Sequence, residues 1–213
     1  GDIKIAFKEV NRSISINPHN TFAYNARGKF LNDMGNINSS LRDFNKAIEL
    51  NPEINQFYIY RVNLLVKKEL YNEALRDYNK IISLEPKSKI WLLKRGLLKI
   101  KLLKYNEALI DISEYIVFEK NNSLAYRSRG IIYLNLGDFN KACRDLSISK
   151  NLNDSKTKDL LKFINSKDSD ICNSINLTTS NNLNNNIEDI SLKEYKTKEA
   201  CDKKTFAKFD DKE

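Results

Sequence analysis

The sequence has few of the residues that catalytic and metal sites need. His19 is its single histidine, and it follows Pro18 in a predicted loop. One loop histidine does not assemble a Ser/His/Asp or Cys/His set, and no glycine-rich phosphate loop is present. Cys143, Cys172 and Cys201 are too few and too scattered for a disulfide framework, and no CxxC pair indicates zinc. We therefore expect no enzyme activity, no metal and no cofactor.

Long apolar runs are also missing. No stretch has the length of a membrane-spanning helix, so the sequence predicts an intracellular, cytoplasmic protein without a membrane span. The charge is uneven along the chain: residues 1–156 carry 26 Lys and Arg against 17 Asp and Glu, whereas residues 157–213 carry 10 against 11. This basic region is compatible with acidic peptides, nucleic acid or anionic lipid as partners, and the charge alone does not choose among them.

What the sequence does contain is a repeat of fixed period. Residues 21–54 align with residues 55–88, 89–122 and 123–156. One column holds Arg27, Arg61, Arg95 and Arg129, and another holds Asp43, Asp77, Asp111 and Asp145. A period of this length predicts a stack of identical supersecondary units. Cys143 aligns with leucines and is therefore predicted to be a small, buried, apolar residue.

Each repeat is predicted to form two helices joined by a short turn. The first helices should begin at residues 21, 55, 89 and 123, and the second near an all-Asn column at 38, 72, 106 and 140, whose side chains would cap them. Gly35 and Gly137 are predicted to adopt a positive φ in the turn. The three prolines, Pro18, Pro52 and Pro86, should stop the second helices.

The remaining columns carry a family resemblance. Large apolar residues recur on the first helices at Tyr24, Tyr58, Leu92 and Tyr126, and on the second at Phe44, Tyr78, Ile112 and Leu146. Small residues pair where the backbones approach, as at Gly28 with Ser40. Together these columns resemble the tetratricopeptide repeat family, in its Arg-Gly/Asp-Phe variant, over residues 3 to about 156. The resemblance implies an all-α, right-handed superhelical solenoid whose first helices line a concave groove.

The predicted organisation follows from this alignment. Residues 1–20 match the second helix of a truncated repeat, so we expect the chain to be an excerpt of a longer array. Four repeats follow at 21–54, 55–88, 89–122 and 123–156. Residues 157–166 are predicted to form a capping helix over the end of the array, with Leu160, Leu161, Phe163 and Ile164 facing inward. Residues 167–213 form an Asn/Lys-rich segment that we predict to be disordered, although residues 191–209 could form a charged helix.

The arginine and aspartate columns are predicted to form structural ion pairs. Each Arg precedes an Asp at one constant separation, which places the two on the first and second helices of one hairpin. The alternative is a line of four cations that binds a phosphate chain. We favour the structural interpretation because one acid accompanies every base, and we expect Arg95→Leu to be better tolerated than Asp111→Leu.

The ligand-binding surface is predicted from helical spacing along the first helices. It is polar in the first repeats and apolar in the later ones, and a contiguous apolar surface usually marks an interaction site. The predicted groove residues are Phe22, Asn25, Lys29, Ile59, Asn63, Ile90, Leu93, Leu97, Leu124, Arg127 and Ile131.

The sequence therefore predicts a non-catalytic scaffold or adaptor that binds a peptide or helix of a partner protein in this groove. One alternative is a basic solenoid that binds nucleic acid or another polyanion. Another is a chaperone co-factor, but the Lys/Asn/Arg carboxylate clamp of such proteins is not found here. Filling of the groove by the chain's own tail or by self-association also stays open.

Overall fold

The computed structural model describes residues 2–167 and Cys172, and within them every regular element is an α-helix. The helices are α1 (Asp2–Ile16), α2 (Thr21–Asp33), α3 (Ile37–Leu50), α4 (Asn55–Lys67), α5 (Tyr71–Leu84), α6 (Ile90–Lys101), α7 (Tyr105–Phe118), α8 (Ser123–Leu136), α9 (Phe139–Asn151) and α10 (Ser155–Lys167). The predicted all-α architecture of helix-turn-helix repeats is confirmed.

The chain forms two compact units, and the division falls within α6. The N-unit runs to Leu98 and the C-unit begins at Lys99. In the N-unit, α2 packs on α3 and α4 on α5, with α1 against α2 and α3 against α4. In the C-unit, α8 packs on α9, with α7 against α8 and α10 against α9. Within each unit, these helices thus bury apolar faces against one another.

The helices end where the sequence has breakers. Helices α1, α3 and α5 each end two residues before a proline, at Ile16, Leu50 and Leu84. The turns between first and second helices use the left-handed region, with φ of 78° at Gly35 and 81° at Gly137, as predicted. The same position holds Glu69 and Leu103 in the middle repeats, with φ of 60° and 58°. The hairpin therefore imposes this backbone even where no glycine favours it.

The predicted caps are wrong by one or two residues. Asn20 and Asn122, not the residues after them, accept the first-turn N–H groups of α2 and α8, from Ala23 and Ala125. The Asn column lies inside the first turn of the second helices, which begin one residue earlier. Among those helices, α9 is capped by a side chain, that of Asp138. Local spacing locates a helix start to within a residue or two, whereas a cap depends on which residue leaves the helical backbone.

Close approach of the hairpin helices depends on the small residues. A Cβ added at Gly28 would lie 2.9 Å from the Phe44 ring, and one at Gly130 would lie 2.8 Å from the Leu146 side chain. Ser40 Oγ also donates to the Gly28 carbonyl at 2.6 Å. Glycine is therefore required here by packing, which offsets its cost of about 1 kcal/mol inside a helix.

The end of the C-unit is closed by α10 and by a disulfide. Leu160, Leu161 and Ile164 are buried in one cluster with residues of α8 and α9; the side chain of Phe163 lies outside the described part. Cys143 is fully buried, as predicted, but its sulfur is bonded to that of Cys172, with the two Cα atoms 5.3 Å apart. The cysteines were expected to be too few and too scattered for a disulfide framework, but Cys143 and Cys172 do pair, because α10 packs on α9 and brings the chain back toward Cys143. The segment predicted to be disordered begins at Lys167, but Lys167 is the last residue of α10; residues 168–171 and 173–213 of that segment lie outside the described residues.

Candidate functional site

The arginine column forms a polar ladder in the N-unit. The Arg27 guanidinium donates from Nε and Nη2 to both carboxylate oxygens of Asp43, at 2.7 and 2.8 Å. Its third nitrogen, Nη1, donates to Asn11 Oδ1 of α1 at 3.0 Å. One side chain thus holds its own hairpin with a bidentate ion pair and also bonds the preceding second helix.

The next repeats continue this ladder. Arg61 donates to both oxygens of Asp77, and its Nη1 donates to Asn45 Oδ1 at 2.8 Å. Arg95 Nη1 donates to Asn79 Oδ1 at 2.7 Å. These asparagines were not predicted, although they recur with the repeat period. Each precedes its arginine by the same number of residues by which the arginine precedes its aspartate.

The C-unit has a different set of polar contacts. Arg129 donates from Nε and Nη2 to Asp145, at 2.6 and 2.9 Å, but the asparagine column is occupied by Ser113 and Ser147. Asp111 forms an ion pair with Lys99 at 2.8 Å, and its pairing with Arg95 stays a prediction.

The burial of its aspartates indicates that the arginine ladder stabilises the fold. The side chains of Asp77 and Asp145 are each 3% exposed, against 20% for Arg61 and for Arg129. Burial raises the pKa of both carboxyl groups, and the hydrogen bond and charge of each arginine oppose that rise. Burial lowers the pKa of Arg129, but its hydrogen bond and charge interaction with Asp145 outweigh this effect and raise it overall. These arginines are therefore engaged with the fold and are poorly placed to bind a phosphate chain.

The predicted polar end of the groove lies on α2 and α4 of the N-unit. Phe22 is 64% exposed, and its ring meets that of Phe57 edge-on at 5.8 Å. Two turns further along α2, exposed Lys29 places its Nζ 5.0 Å from the centre of the Tyr60 ring. The remaining predicted members are Asn25 and Ile59, which are half-buried, and Asn63, which is exposed.

Two asparagines near this surface have unpartnered amide atoms. Asn25 Oδ1, on α2, is buried without a hydrogen-bond partner, and so are Oδ1 and Nδ2 of Asn55, the first residue of α4. A buried polar atom without a partner costs about 1–3 kcal/mol. A ligand that supplies peptide N–H and C=O groups would match these atoms, because an amide side chain both donates and accepts.

The predicted apolar part of the groove is less accessible than expected. Leu93 is 3% exposed and belongs to the core, so its assignment to a ligand surface is wrong. Helical spacing shows that Leu93 shares a face with Ile90 and Leu97 but does not show how deeply that face is covered. Ile90 is 39% exposed and Leu97 is half-buried.

In the C-unit, the predicted groove residues are partly covered. Leu124, Arg127 and Ile131, all on α8, are half-buried. The Arg127 Nε lies 3.0 Å from Asp154 Oδ2, at an angle that gives an ionic contact and no hydrogen bond. This arginine is therefore partly neutralised before any ligand arrives.

The basic residues of the second helices alternate with acids. Lys46 pairs with Glu49, Lys80 with Glu53 and Lys141 with Asp138, at 2.7, 2.9 and 2.6 Å. These are exposed pairs, each worth at most about 1 kcal/mol. They nonetheless interrupt the continuous positive face that a polyanion would require.

Other kinds of site find little support in the described part of the chain. It contains no group of three His, Cys, Asp or Glu side chains that could hold a metal ion, and no helix there is both long and apolar enough to cross a bilayer. A cleft of about 260 Å³ adjoins the first rung of the ladder and is lined by Phe7, Asn11, Arg27, Leu31, Ser39, Arg42 and Asp43.

The comparisons with known proteins agree with this architecture. Residues 23–54 match the family model of the tetratricopeptide repeat, and no curated protein sequence matches the chain. A tetratricopeptide repeat protein from Parabacteroides merdae ATCC 43184 is similar with a TM-score of 0.66 and 19% identity, over 84% of this chain and 73% of that one. MamA is similar with a TM-score of 0.64 and 19% identity, over 74% and 92% of the two chains.

A third similar structure is that of YrrB, which is described as a TPR protein with an unusual peptide-binding site. It has a TM-score of 0.58 and 18% identity, over 82% of this chain and 85% of that one. At these identities the likeness concerns the fold. The matched repeat and the shared fold confirm the tetratricopeptide resemblance, and this scaffold fold is typical of protein–protein interaction.

Proposed function

We propose that this chain is a non-catalytic scaffold that binds a segment of a partner protein on the first-helix surface of the N-unit. Phe22, Asn25, Lys29, Ile59 and Asn63 form the proposed surface. The observation that carries the proposal is the unpartnered Asn25 Oδ1, which lies on α2 between exposed Phe22 and exposed Lys29. An apolar anchor, a polar atom without a partner and a cation on one helix are the elements of a peptide site.

The ligand chemistry follows from these three residues. Phe22 offers an apolar ring to an aliphatic or aromatic side chain, and Lys29 offers a positive charge to an acidic one. Asn25 Oδ1 is buried, so the amide must turn toward the ligand before a backbone N–H of the ligand can donate to it. The expected ligand is therefore an apolar segment with an acidic residue, bound through side chains and backbone together.

The C-unit has an apolar patch of its own that could bind a ligand segment independently. Leu124 and Ile131 lie two turns apart on α8 and are both half-buried, and such residues gain further burial when a ligand covers them. Leu93 is excluded because it is already in the core.

The proposal can be tested with a library of random peptides displayed on phage and selected on the full chain. Phe22→Ala with Lys29→Glu should weaken the enriched peptides about tenfold, because an anchor and a charge pair are lost. The matched control is Lys46→Glu, which reverses one charge on exposed α3 outside the surface. Circular dichroism should show the same helicity for all variants.

Salt distinguishes this function from the polyanion alternative. Binding through apolar and backbone contacts should persist at about 0.5 M salt, where exposed charge pairs are screened. Failure to enrich any peptide, or equal affinity of the double variant and the parent, would contradict the proposal. A strong salt-sensitive affinity for single-stranded DNA or heparin would favour the alternative.

A further inference from the structure

The cleft beside the first rung of the ladder combines an apolar wall with a cation that has no acidic partner. It measures about 260 Å³ and lies among α1, α2 and α3 of the N-unit. Phe7 and Leu31 line it with half-buried apolar side chains, and Ser39 and Arg42 line it with polar ones. We call this cavity the α1–α3 cleft.

The charged side chains of the cleft leave one positive charge in excess. Both carboxylate oxygens of Asp43 accept from Arg27, so this pair contributes no net charge. Arg42 is exposed, and its Nη2 donates to Ser39 Oγ at 2.9 Å. Among the described side chains Arg42 has no ion-pair partner, and no Asp or Glu lies three or four residues from it on α3.

A serine in place of an acid leaves this cation available. Ser39 aligns with Glu73 and Glu107 of the next two repeats. Glu107 lies 3.8 Å from the ammonium groups of both Lys99 and Lys104, so an acid in this column neutralises the cations around it. In the first repeat the serine has no charge to do so, and its side chain is shorter than that of a glutamate.

Ser39 and Arg42 can bind a carboxylate together. Ser39 Oγ accepts from Arg42, so its hydroxyl hydrogen remains available to a ligand, as do Nε and Nη1 of the arginine. Hydrogen bonds between a guanidinium and a carboxylate are among the stronger ones in proteins. We propose that the α1–α3 cleft binds a small organic monocarboxylate, with the charged group on Ser39 and Arg42 and the apolar body on Phe7 and Leu31.

The size and charge of the cleft limit the ligand to this class. Its volume lies just below the range of about 300–1,000 Å³ that is typical of pockets for drug-sized ligands. One positive charge in excess matches one carboxylate, and the Asp43 carboxylate in the wall opposes a dianion such as a phosphate ester. The apolar wall favours an organic anion over an inorganic one. The cleft shares no residue with the proposed peptide site.

The test titrates hexanoate into the full chain labelled with ¹⁵N and follows the signals by nuclear magnetic resonance. Binding should shift the amide signals of Phe7, Leu31 and Ser39 and the Nε–H signal of Arg42. The dissociation constant should be on the order of a millimolar, as expected for so small a ligand. Acetate lacks the apolar body and hexanol lacks the charge, so each should bind at least about tenfold more weakly.

A variant of the cleft can be copied from the neighbouring repeats. Ser39→Glu reproduces Glu73 and Glu107, so the helix should be retained. The new carboxylate stands three residues before Arg42 and competes with the ligand for it, so the affinity for hexanoate should fall about tenfold. Arg42→Gln should cause a similar loss. The matched control is Arg76→Gln, the same change in the same column one repeat later, which should leave hexanoate binding unchanged.

A second control separates this cleft from the proposed peptide site. Phe22→Ala with Lys29→Glu should weaken peptide binding and leave the hexanoate-induced shifts unchanged, because the two sites share no residue. Circular dichroism should show the same helicity for all variants.

Several results would overturn the proposal. Shifts that do not saturate, or that appear at Lys29 and not around the cleft, would show that hexanoate does not bind there. Equal affinity for acetate would indicate an ionic contact alone, and equal affinity for hexanol an apolar contact alone. An affinity unaffected by Ser39→Glu would show that the serine and Arg42 do not hold the carboxylate.

Discussion

The N-unit and the C-unit share one repeat period but join their helices with different side chains. In the N-unit, Arg27 and Arg61 each bond an aspartate of their own hairpin and an asparagine of the helix before it. In the C-unit, serines replace those asparagines. There the terminal hairpin is bound by a hydrogen bond between Ser149 and Thr157 and by the disulfide.

This comparison shows which side-chain features every hairpin must have and which can differ between hairpins. Both units keep the small residues, the left-handed turn and the bidentate Arg–Asp pair, because each hairpin needs them. The link from one hairpin to the next helix can be a hydrogen bond from a charged arginine to an asparagine, or a hydrogen bond between two hydroxyl groups together with a covalent bond. Stability is therefore expected to be distributed differently in the two units, as nearest-neighbour terms in repeat proteins permit.

Loss of the disulfide should have the largest effect, and it should be confined to the C-unit. Cys172→Ser removes a cross-link between residues 29 apart, which the chain-entropy relation values at about 3.5 kcal/mol. Hydrogen exchange should show faster exchange in α9 and α10 and unchanged exchange in α2–α5. Cys201→Ser is the control, and equal exchange in both variants would contradict the prediction.

Breaking the ladder pair in the N-unit should come next. Arg61→Leu strands the Asp77 carboxylate, whose side chain is 3% exposed, and should cost about 3 kcal/mol of unfolding free energy. Asp77→Leu strands an arginine that is 20% exposed and reaches water more easily, so it should cost less. Because of this burial, replacing the arginine is expected to cost more than replacing the aspartate, which is the opposite of the order expected from the sequence. Urea denaturation of the two variants would decide it, and a smaller loss for Arg61→Leu would restore the earlier order.

Exchanging the asparagine of one unit for the serine of the other should have a smaller effect. Asn45→Ser removes the acceptor of Arg61 Nη1 and should destabilise the N-unit by about 0.5–1 kcal/mol, since the bond is exposed. Ser113→Asn makes the reverse change at the position of the same column that precedes Arg129. Thermal unfolding measures the change in stability caused by each variant. A loss of stability for Ser113→Asn would show that the C-unit cannot accommodate the ladder.

The smallest expected effect is a dependence on pH. The pKa values of Asp77 and Asp145 are raised by burial, so the folded state binds these protons more readily than the unfolded chain. Their contribution to stability is present below the unfolded pKa of about 3.9 and is lost as pH rises through the folded pKa. The melting temperature of the parent, relative to Asp145→Asn, should therefore fall as pH rises from acid toward neutral. A relative rise would mean that Arg129 depresses the pKa of its partner.

Much of the fold could be predicted because it depends on local periodicity. The proline positions, the turns at Gly35 and Gly137 and the constant Arg–Asp spacing all derive from the repeat. Features that depend on how elements meet were missed. The burial of Leu93 requires knowledge of what covers its face, and the bond between Cys143 and Cys172 requires α10 to return over α9.

The asparagine ladder is an intermediate case. Asn11, Asn45 and Asn79 form a column as regular as the arginines, and the signal was available in the alignment. The alignment did not show what these asparagines contact, because the distance from each asparagine to the arginine of the following repeat depends on how successive hairpins pack.

Because the separation between asparagine and arginine is the same at each step, the N-unit can be lengthened by duplicating one repeat. A second copy of residues 21–54, inserted directly after the first, would place Asn45 of the original at the usual separation from Arg27 of the copy. The new junction would therefore have its acceptor and donor at once, with no compensating mutation. An insertion that is not a whole number of repeats would break this match, so unequal recombination in whole repeats is the change in length that this part of the protein tolerates best.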